Sequence, residues 1–309
     1  MKIFLTGASG LVGSAFARIA ARRGHHVIGV VGKFVGELEG VAEKLTLDLT
    51  QSETLTRQVL QSFPDAVVNC AAISEPAACD ANPSLSDALN VALPARLAEL
   101  AQHLDARLIH VSSEQVFDGK RTSPYTERDD VSPLNLYGRQ KLASERAVLN
   151  AAARTAAIVR APLLMGDSPG GRRGLHERLL AEWCAGRTPR LFTDEFRQPC
   201  TAENLADVLL ELVERPDVTG LFHWAGTELL SRYALGERIR EHFKLSATRA
   251  PLIAAARTDS PEIARQRQAC LALDLSALTG RLKARPQTIA GQLATLRVPP
   301  SCREWYHQA

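Results

Sequence analysis

The sequence predicts a doubly wound α/β fold, a parallel sheet with helices on both faces, followed by a smaller α/β domain. Three observations predict it. Apolar β-type runs and helical patterns alternate six times in the first half of the 309-residue chain, with short connections. Gly7, Gly10 and Gly13 stand between the first run and the first helix. Small and hydroxyl residues end the fourth and fifth runs, at the strand ends where such sheets gather their ligands.

The elements follow in order. Residues 3–6 form a short apolar strand that ends in the glycine turn. Residues 11–23 carry helical apolar spacing and stop near Gly24. Runs at 27–31 and 45–47 give the second and third strands, the third ending at Asp48. A helix over 52–62 takes Ser52 as its cap. Residues 66–69, in "PDAVVNCAA", read as a buried strand. A long helix at 85–103, a strand at 107–111, a helix at 136–153 and a strand at 157–160 complete the series. The crossovers should be right-handed.

After Pro162 the alternation loosens. Helices are predicted at 175–185, 201–214 and 231–243, with a strand at 221–224 before the last. Pro169-Gly170-Gly171 and residues 187–190 mark loops. An apolar run at 270–273 and a helix near 287–295 end the pattern. The expected organisation is a first domain over 1–165 that regains parts of 197–226, and a discontinuous lid domain mainly over 166–309.

Composition narrows the function. Hydrophobic residues make up 45% and charged residues 23%, with a net charge of +3. Lysines and arginines are scattered, which speaks against nucleic-acid and membrane partners. Arg172-Arg173 and Arg265/Arg267 are short basic groups, read as loop charge or contacts to an anionic ligand. The N-terminal apolar run is shorter than the ~7–15 residues of a secretory core, and none reaches the ~18 of a membrane span. Six cysteines include no C-x-x-C pair and no Cys/His cluster with metal-ligand spacing, so reduced thiols, a cytoplasmic location and no metal are expected. His25-His26 point to opposite faces of a strand and make no metal pair. Trp224 is read as core.

The turn "TGASGLVG" suits phosphate binding. Glycine accepts positive φ and lets a phosphate approach the backbone, and the helix beyond it aims free N–H groups at that phosphate. Spaced G-x-x-G-x-x-G between strand and helix, it predicts a Rossmann-type dinucleotide site. An acidic residue about 20 positions on would hold a ribose 2′-hydroxyl. The second strand instead runs into Lys33, whose cation suits a 2′-phosphate, so NADP(H) is favoured over NAD(H). Asp48, at the third strand's tip, is a candidate for the adenine edge or a helix cap.

Tyr137 and Lys141 are spaced i, i+4, on one helix face, with β-carbons about 5–6 Å apart. Alone, such a pair is ordinary helix surface. Here the fourth strand ends Asn69-Cys70-Ala71-Ala72 and the fifth ends Ser112-Ser113, so serine, tyrosine and lysine converge on the expected cofactor. With these motifs in order, the chain resembles the extended short-chain dehydrogenase/reductase superfamily. "VSSEQVFDGKRTSPYTERDDVSPLNLYGRQKLASE", "FRQPCTAENLADVLLELV" and "GLFHWAGTELLSRYALGERI" look like the dTDP-4-dehydrorhamnose reductase group. Parts are also similar to the regulatory β-subunit of methionine adenosyltransferase, which shares the fold and binds NADP.

The resemblance implies reduction of a keto group, first of a nucleotide-linked 4-keto-6-deoxysugar. Tyr137 would be the general acid, its pKa lowered from ~10 by Lys141 and the nicotinamide. Lys141 would hold the ribose hydroxyls, and Ser113 would orient the carbonyl. Around the cofactor it puts Gly7, Ser9, Gly10, Leu11, Val12, Gly13, Lys33, Asp48, Leu49, Cys70, Ala71, Ala72, Ala161 and Leu163. Beside the substrate it puts Ser74, Glu114, Gln115 and Arg197. The group usually reads Asp-Tyr where this chain has Glu114-Gln115, and Arg197 reads equally as a surface charge. An acidic residue beside the catalytic serine also keeps an epimerase or dehydratase open, and an NADP-binding regulatory subunit remains the non-enzymatic alternative. A homodimer is the default assembly.

Overall fold

A computed structural model describes residues 1–308. Six strands of the first half, β1 (Lys2–Thr6), β2 (His26–Val31), β3 (Glu43–Thr46), β4 (Ala66–Asn69), β5 (Arg107–Ser113) and β6 (Ala156–Ala161), share one sheet with Gly220–His223. The order runs Gly220–His223, β6, β5, β4, β1, β2, β3, and every pairing is parallel. All seven C-terminal ends therefore lie along one edge. β1 is flanked by β4 on one side and β2 on the other, so the topology switches at the glycine turn.

The strands read as continuous apolar runs because both faces are covered. On one face, Phe16 and Ala17 of helix α1 (Leu11–Arg22) pack with Leu205, Leu209 and Leu212 of the helix Ala202–Glu214. On the other, Leu55 and Val59 of α2 (Ser52–Ser62) join Leu97, Leu100 and Val148. The second half thus supplies a covering helix as well as the edge strand. A separate core holds Leu179, Trp183, Leu235, Ile239, Ile289 and Leu293. Short strands tie this part together, including Phe196–Arg197 between Leu230–Ser231 and Cys270–Leu271.

Some boundaries depart from expectation for physical reasons. The third strand is Glu43–Thr46, earlier than 45–47, because it pairs with Ile28–Val31. Ser52 is not a cap: Gln51 occupies that position and no side chain caps it. The expected long helix at 85–103 is a succession: Pro83–Asp87, a π-turn at Ala88–Ala92, and Leu93–His103. Pro94 cannot donate to the preceding turn, and the widened turn adapts to that missing bond. Thr201 and Ser231 are caps, accepting from Asn204 N and Ala234 N, so their helices start one residue later. The apolar run at 270–273 gives a strand of only two residues, Cys270–Leu271. His25 and His26 take separate acidic partners, Glu214 at 2.8 Å and Glu43 at 2.7 Å. Trp224 is fully buried and donates to Asn204 Oδ1 at 2.9 Å. Among the described residues, no helix is long and apolar enough to cross a membrane.

Phe16 fills the centre of the α1 interface with no exposed surface. Phe16→Ala should lower stability by about 3–5 kcal/mol, read as a reduced urea midpoint. A loss below ~1 kcal/mol would mean that the neighbouring helix collapses into the space.

Candidate active site

The strand ends are held level by buried side chains. Thr6, Asn69 and His110 are register partners on β1, β4 and β5. Thr6 Oγ1 donates to Asn69 Oδ1 at 2.6 Å, and Asn69 Nδ2 donates to His110 Nδ1 at 3.1 Å. That assigns the imidazole proton to Nε2, which lies 3.0 Å from Ser144 Oγ on the helix Leu136–Ala152. Ser144 Oγ donates in turn to the carbonyl of Lys141 at 2.7 Å. Burial, with Lys141 nearby, keeps His110 well below the usual imidazole pKa, so it serves as a neutral link.

The glycine turn departs from this row. Gly7 has φ +68°, and a Cβ there would meet Ala71 N at 2.7 Å. A Cβ on Gly13 would meet the Gly7 carbonyl oxygen at 2.2 Å. Both glycines are thus required for turn, helix and β4 tip to approach. Gly10 caps α1 with extended backbone, no side chain covers the first N–H groups, and the first turn has no acidic residue. Those N–H groups remain available to an anion.

The helix bearing Tyr137 and Lys141 is set against β5 with similar closeness. Asn135 accepts from Gly138 N at 2.8 Å and donates to Gln115 Oε1 at 2.9 Å. A Cβ on Gly138 would meet the Gln115 carbonyl oxygen at 2.3 Å. Tyr137 and Ser113 are both 6% exposed and Lys141 is 3% exposed. Lys141 Nζ donates to the Val111 carbonyl at 2.9 Å and lies 6.0 Å from the centre of the Tyr137 ring. Burial lowers Lys141 to about 8. It raises the Tyr137 phenol above its ordinary value, and the Ser113 hydroxyl opposes that rise only in part. In the chain by itself burial is thus the largest influence on the phenol, while the Lys141 ammonium donates to Val111.

A cavity of about 1210 Å³ joins these parts. Gly10, Leu11, Val12, Cys70, Ala72, Ser74, Ser113, Glu114, Gln115, Tyr137, Lys141, Ala161, Leu163 and Arg197 of the expected set line it. Gly7, Ser9, Gly13 and Ala71 belong to the same turn and strand tip without lining it. Lys33 is exposed beyond the end of β2, and Asp48 turns back to accept from Thr50 N at 2.9 Å and Thr50 Oγ1 at 2.7 Å. Leu49 packs against the core. Neither Lys33, Asp48 nor Leu49 is among the residues lining the cavity.

Arg197, which reads equally well as a surface charge, is 6% exposed and lies 3.3 Å from Glu114 Oε1 and 3.3 Å from Glu195 Oε1. Arg267 closes on Glu195 at 2.6 and 2.9 Å. Glu114 is 3% exposed, and its Oε2 has no partner among the described residues. Burial raises its carboxyl to about 8, with Arg197 pulling down and Glu195 pushing up. Arg172, Arg173, Arg178 and Arg232 complete the cationic wall. Sequence reading passed over Arg178 and Arg232 because neither sits in a basic group. It also passed over Asn90, whose amide holds both backbone groups of Ile73, at 2.9 and 3.0 Å, through the π-turn. Asp167, His176 and Glu177 approach within 4.8 Å, a grouping invisible in their spacing. Glu177, however, spends both oxygens on Ser168, Arg173 and Gly174.

Comparison with known proteins adds four findings. Residues 1–296 match the family model described as RmlD substrate binding domain. A probable low-salt glycan biosynthesis reductase of Haloferax volcanii is 32% identical over 298 residues, covering 96% of this chain and 97% of that one. Methionine adenosyltransferase 2 subunit beta of Rattus norvegicus is 32% identical over 286 residues, covering 90% and 81%. Among solved structures, a dTDP-4-dehydrorhamnose reductase from Bacillus anthracis in complex with NADP superposes with a TM-score of 0.78. It covers 95% of this chain and 98% of its own at 18% identity, which shows a common fold.

Gly13→Ala should displace the turn and weaken NADPH binding more than ~10-fold in a fluorescence titration, a cost above ~1.4 kcal/mol. Unchanged binding would mean that the turn has no part in holding the cofactor. Glu114 yields a pH prediction. A carboxyl raised in the folded state stabilises the fold below its unfolded pKa, and this is lost as pH rises through the folded value. The wild type should therefore lose on the order of 1–3 kcal/mol relative to Glu114→Gln between about pH 4.5 and pH 8. Urea midpoints that stay parallel across that window would show Glu114 to be ionised and well paired.

Proposed function

Because the chain belongs to the RmlD substrate binding domain family, we propose that it is an NAD(P)H-dependent reductase of the extended short-chain type that reduces a keto group. The observation that carries this reading is one cavity lined by the α1 N-terminus, Ser113, Tyr137 and Lys141. The residues fit a dinucleotide. The turn leaves its backbone bare where a Cβ at Gly7 or Gly13 would collide, and the N–H groups of α1 are uncapped. The bound nicotinamide would supply the hydride.

The chain's own residues supply the rest. Tyr137, neutral by burial, donates its phenolic proton to the carbonyl oxygen. Ser113 hydrogen-bonds that oxygen and fixes its direction. Lys141 holds the ribose hydroxyls and offers its charge to the phenolate left behind. Lys33, exposed at the end of β2 with no carboxylate there, favours a 2′-phosphate and hence NADPH. Gly7, Ser9, Gly10, Leu11, Val12, Gly13, Cys70, Ala71, Ala72, Ala161 and Leu163 form the rest of the cofactor site, with Asp48 and Leu49 towards the adenine.

For substrate, a nucleotide-linked 4-keto-6-deoxysugar is our first reading. Arg172, Arg173 and Arg232 line the cavity as cations that make no ion pair among the described residues, which suits a diphosphate. Ser74, Glu114, Gln115 and Arg197 would border the sugar. Similarity to a methionine adenosyltransferase β subunit favours a second reading, an NADP-binding regulatory subunit.

Two measurements separate these readings. Mixing the protein with NADPH and a dTDP-4-keto-6-deoxysugar should deplete the nicotinamide absorbance, and Tyr137→Phe should keep NADPH binding while lowering kcat by about 10²–10⁴-fold. Tight NADPH binding without oxidation of a panel of keto-sugar nucleotides would favour the regulatory reading. Undiminished turnover by Tyr137→Phe would remove the tyrosine as proton donor.

A further inference from the structure

Behind the candidate site, a buried carboxylate binds three elements at once. Glu145 lies one helical turn beyond Lys141 and is 2% exposed. Its Oε1 accepts from Ser112 Oγ at 2.5 Å and from Arg160 Nε at 2.9 Å. Its Oε2 accepts from Arg160 Nη2 at 2.8 Å. Ser112 precedes Ser113 at the tip of β5, and Arg160 precedes Ala161 at the tip of β6. The arginine is locked on its far side by the Phe117 ring, 4.9 Å from its guanidinium carbon, and by His223 Nε2 at 3.3 Å. Burial and the arginine charge hold His223 at about 3, so it stays neutral and leaves the Glu145–Arg160 pair undisturbed.

We propose that Glu145 is a positioning residue for the reaction, tying the Tyr137–Lys141 helix to the strand tips that carry Ser113 and Ala161 and setting the field at the Lys141 ammonium. The role rests on the reductase reading of Lys141. Glu145 stands four residues after Lys141 on the same helix face, and Arg160 fixes its carboxylate at 2.8 and 2.9 Å. Burial drives Lys141 down to about 8, and Glu145 is the largest influence acting against it. The other titratable groups acting on the lysine are Cys70 from the β4 tip, Cys79 from the helix Pro76–Ala81, and His110 from β5. Tyr137 shares its helix. Burial raises Cys70 to about 12 and raises Cys79 as well, and His110 is held neutral. Below the range where those thiols ionise, Glu145 is the carboxylate that favours the charged lysine. A cation needed at the ribose depends on it.

The test reads the lysine directly. Lysine ¹³Cε resonances are titrated by NMR on the full chain, with Lys141 assigned by its loss in Lys141→Met. Removing a charge at i+4 spacing should lower the Lys141 pKa by about one to two units in Glu145→Gln. Glu145→Asp, which keeps the charge, should retain most of the wild-type value. Glu145→Gln leaves Arg160 buried without its anion, so Glu145→Gln/Arg160→Met, which removes both charges, is measured in parallel as the variant secure in folding. A Lys141 pKa within ~0.3 unit of wild type in folded Glu145→Gln, or in Glu145→Gln/Arg160→Met where the single variant does not fold, overturns the proposal. Turnover of the same samples separates the two claims. A wild type without turnover but with the lysine shift present counts against the reductase reading alone. An active wild type whose lysine does not move counts against Glu145 alone.

Discussion

The arrangement depends on a row of hydrogen bonds across three parallel strands. Thr6, Asn69 and His110 stand at one level, and their bonds of 2.6 and 3.1 Å hold β1, β4 and β5 in register where the chain leaves the sheet. A slip of one residue would send each of these side chains to the opposite face. One residue further on come Gly7, Cys70 and Val111, the glycine turn, the small-residue tip and the carbonyl that receives Lys141. The turn's closeness to β4 and the lysine's reach to β5 both follow from that register. Through Ser144 the same row extends to the helix that carries Tyr137 and Lys141.

Two sets of charges, buried except for the half-exposed Arg267, lie about the cavity. Lys141, Glu145 and Arg160 lie on the sheet side. Glu114, Arg197, Glu195 and Arg267 lie on the side built with the second half of the chain. Burying paired charges costs desolvation, and apolar residues of similar volume often serve stability as well or better. The second set lines the cavity directly, whereas the first reaches it only through Lys141. The second set is also less complete. Glu114 Oε2 has no partner, while Glu195 is held below the usual carboxylate range by Arg267 and Arg197 despite burial. Glu114, which follows Ser113 in the chain, is one of the residues lining the cavity.

The resemblance leads one to expect Asp-Tyr where this chain has Glu114-Gln115. Gln115 serves the scaffold in two ways: its backbone carbonyl, on which Gly138 rests, does not depend on the side chain there, whereas the amide oxygen that receives Asn135 does. A family can keep such a frame and vary the lining, which separates the fold from the choice of substrate.

Much of this was legible in the sequence. Period-two and period-3.6 apolar spacing is a local property, so the six first-half strands and the helices beside them could be read without tertiary information, and so could the glycines of the turn. Tyr137 and Lys141 were legible because helix geometry puts i and i+4 on one face. Other features were not. The π-turn around Asn90, the burial of Arg197, and the arrival of Arg178 and Arg232 at the cavity depend on contacts between distant segments. The upward push of burial on the Tyr137 phenol was also hidden, because residue spacing reveals neighbours along a helix but not desolvation. By itself the sequence determined a doubly wound sheet, a glycine turn between its first strand and helix and a tyrosine–lysine pair, all set by short-range pattern. Only the tertiary structure decided which charges face each other across the cavity, because burial and pairing are set where strands from both halves of the chain meet.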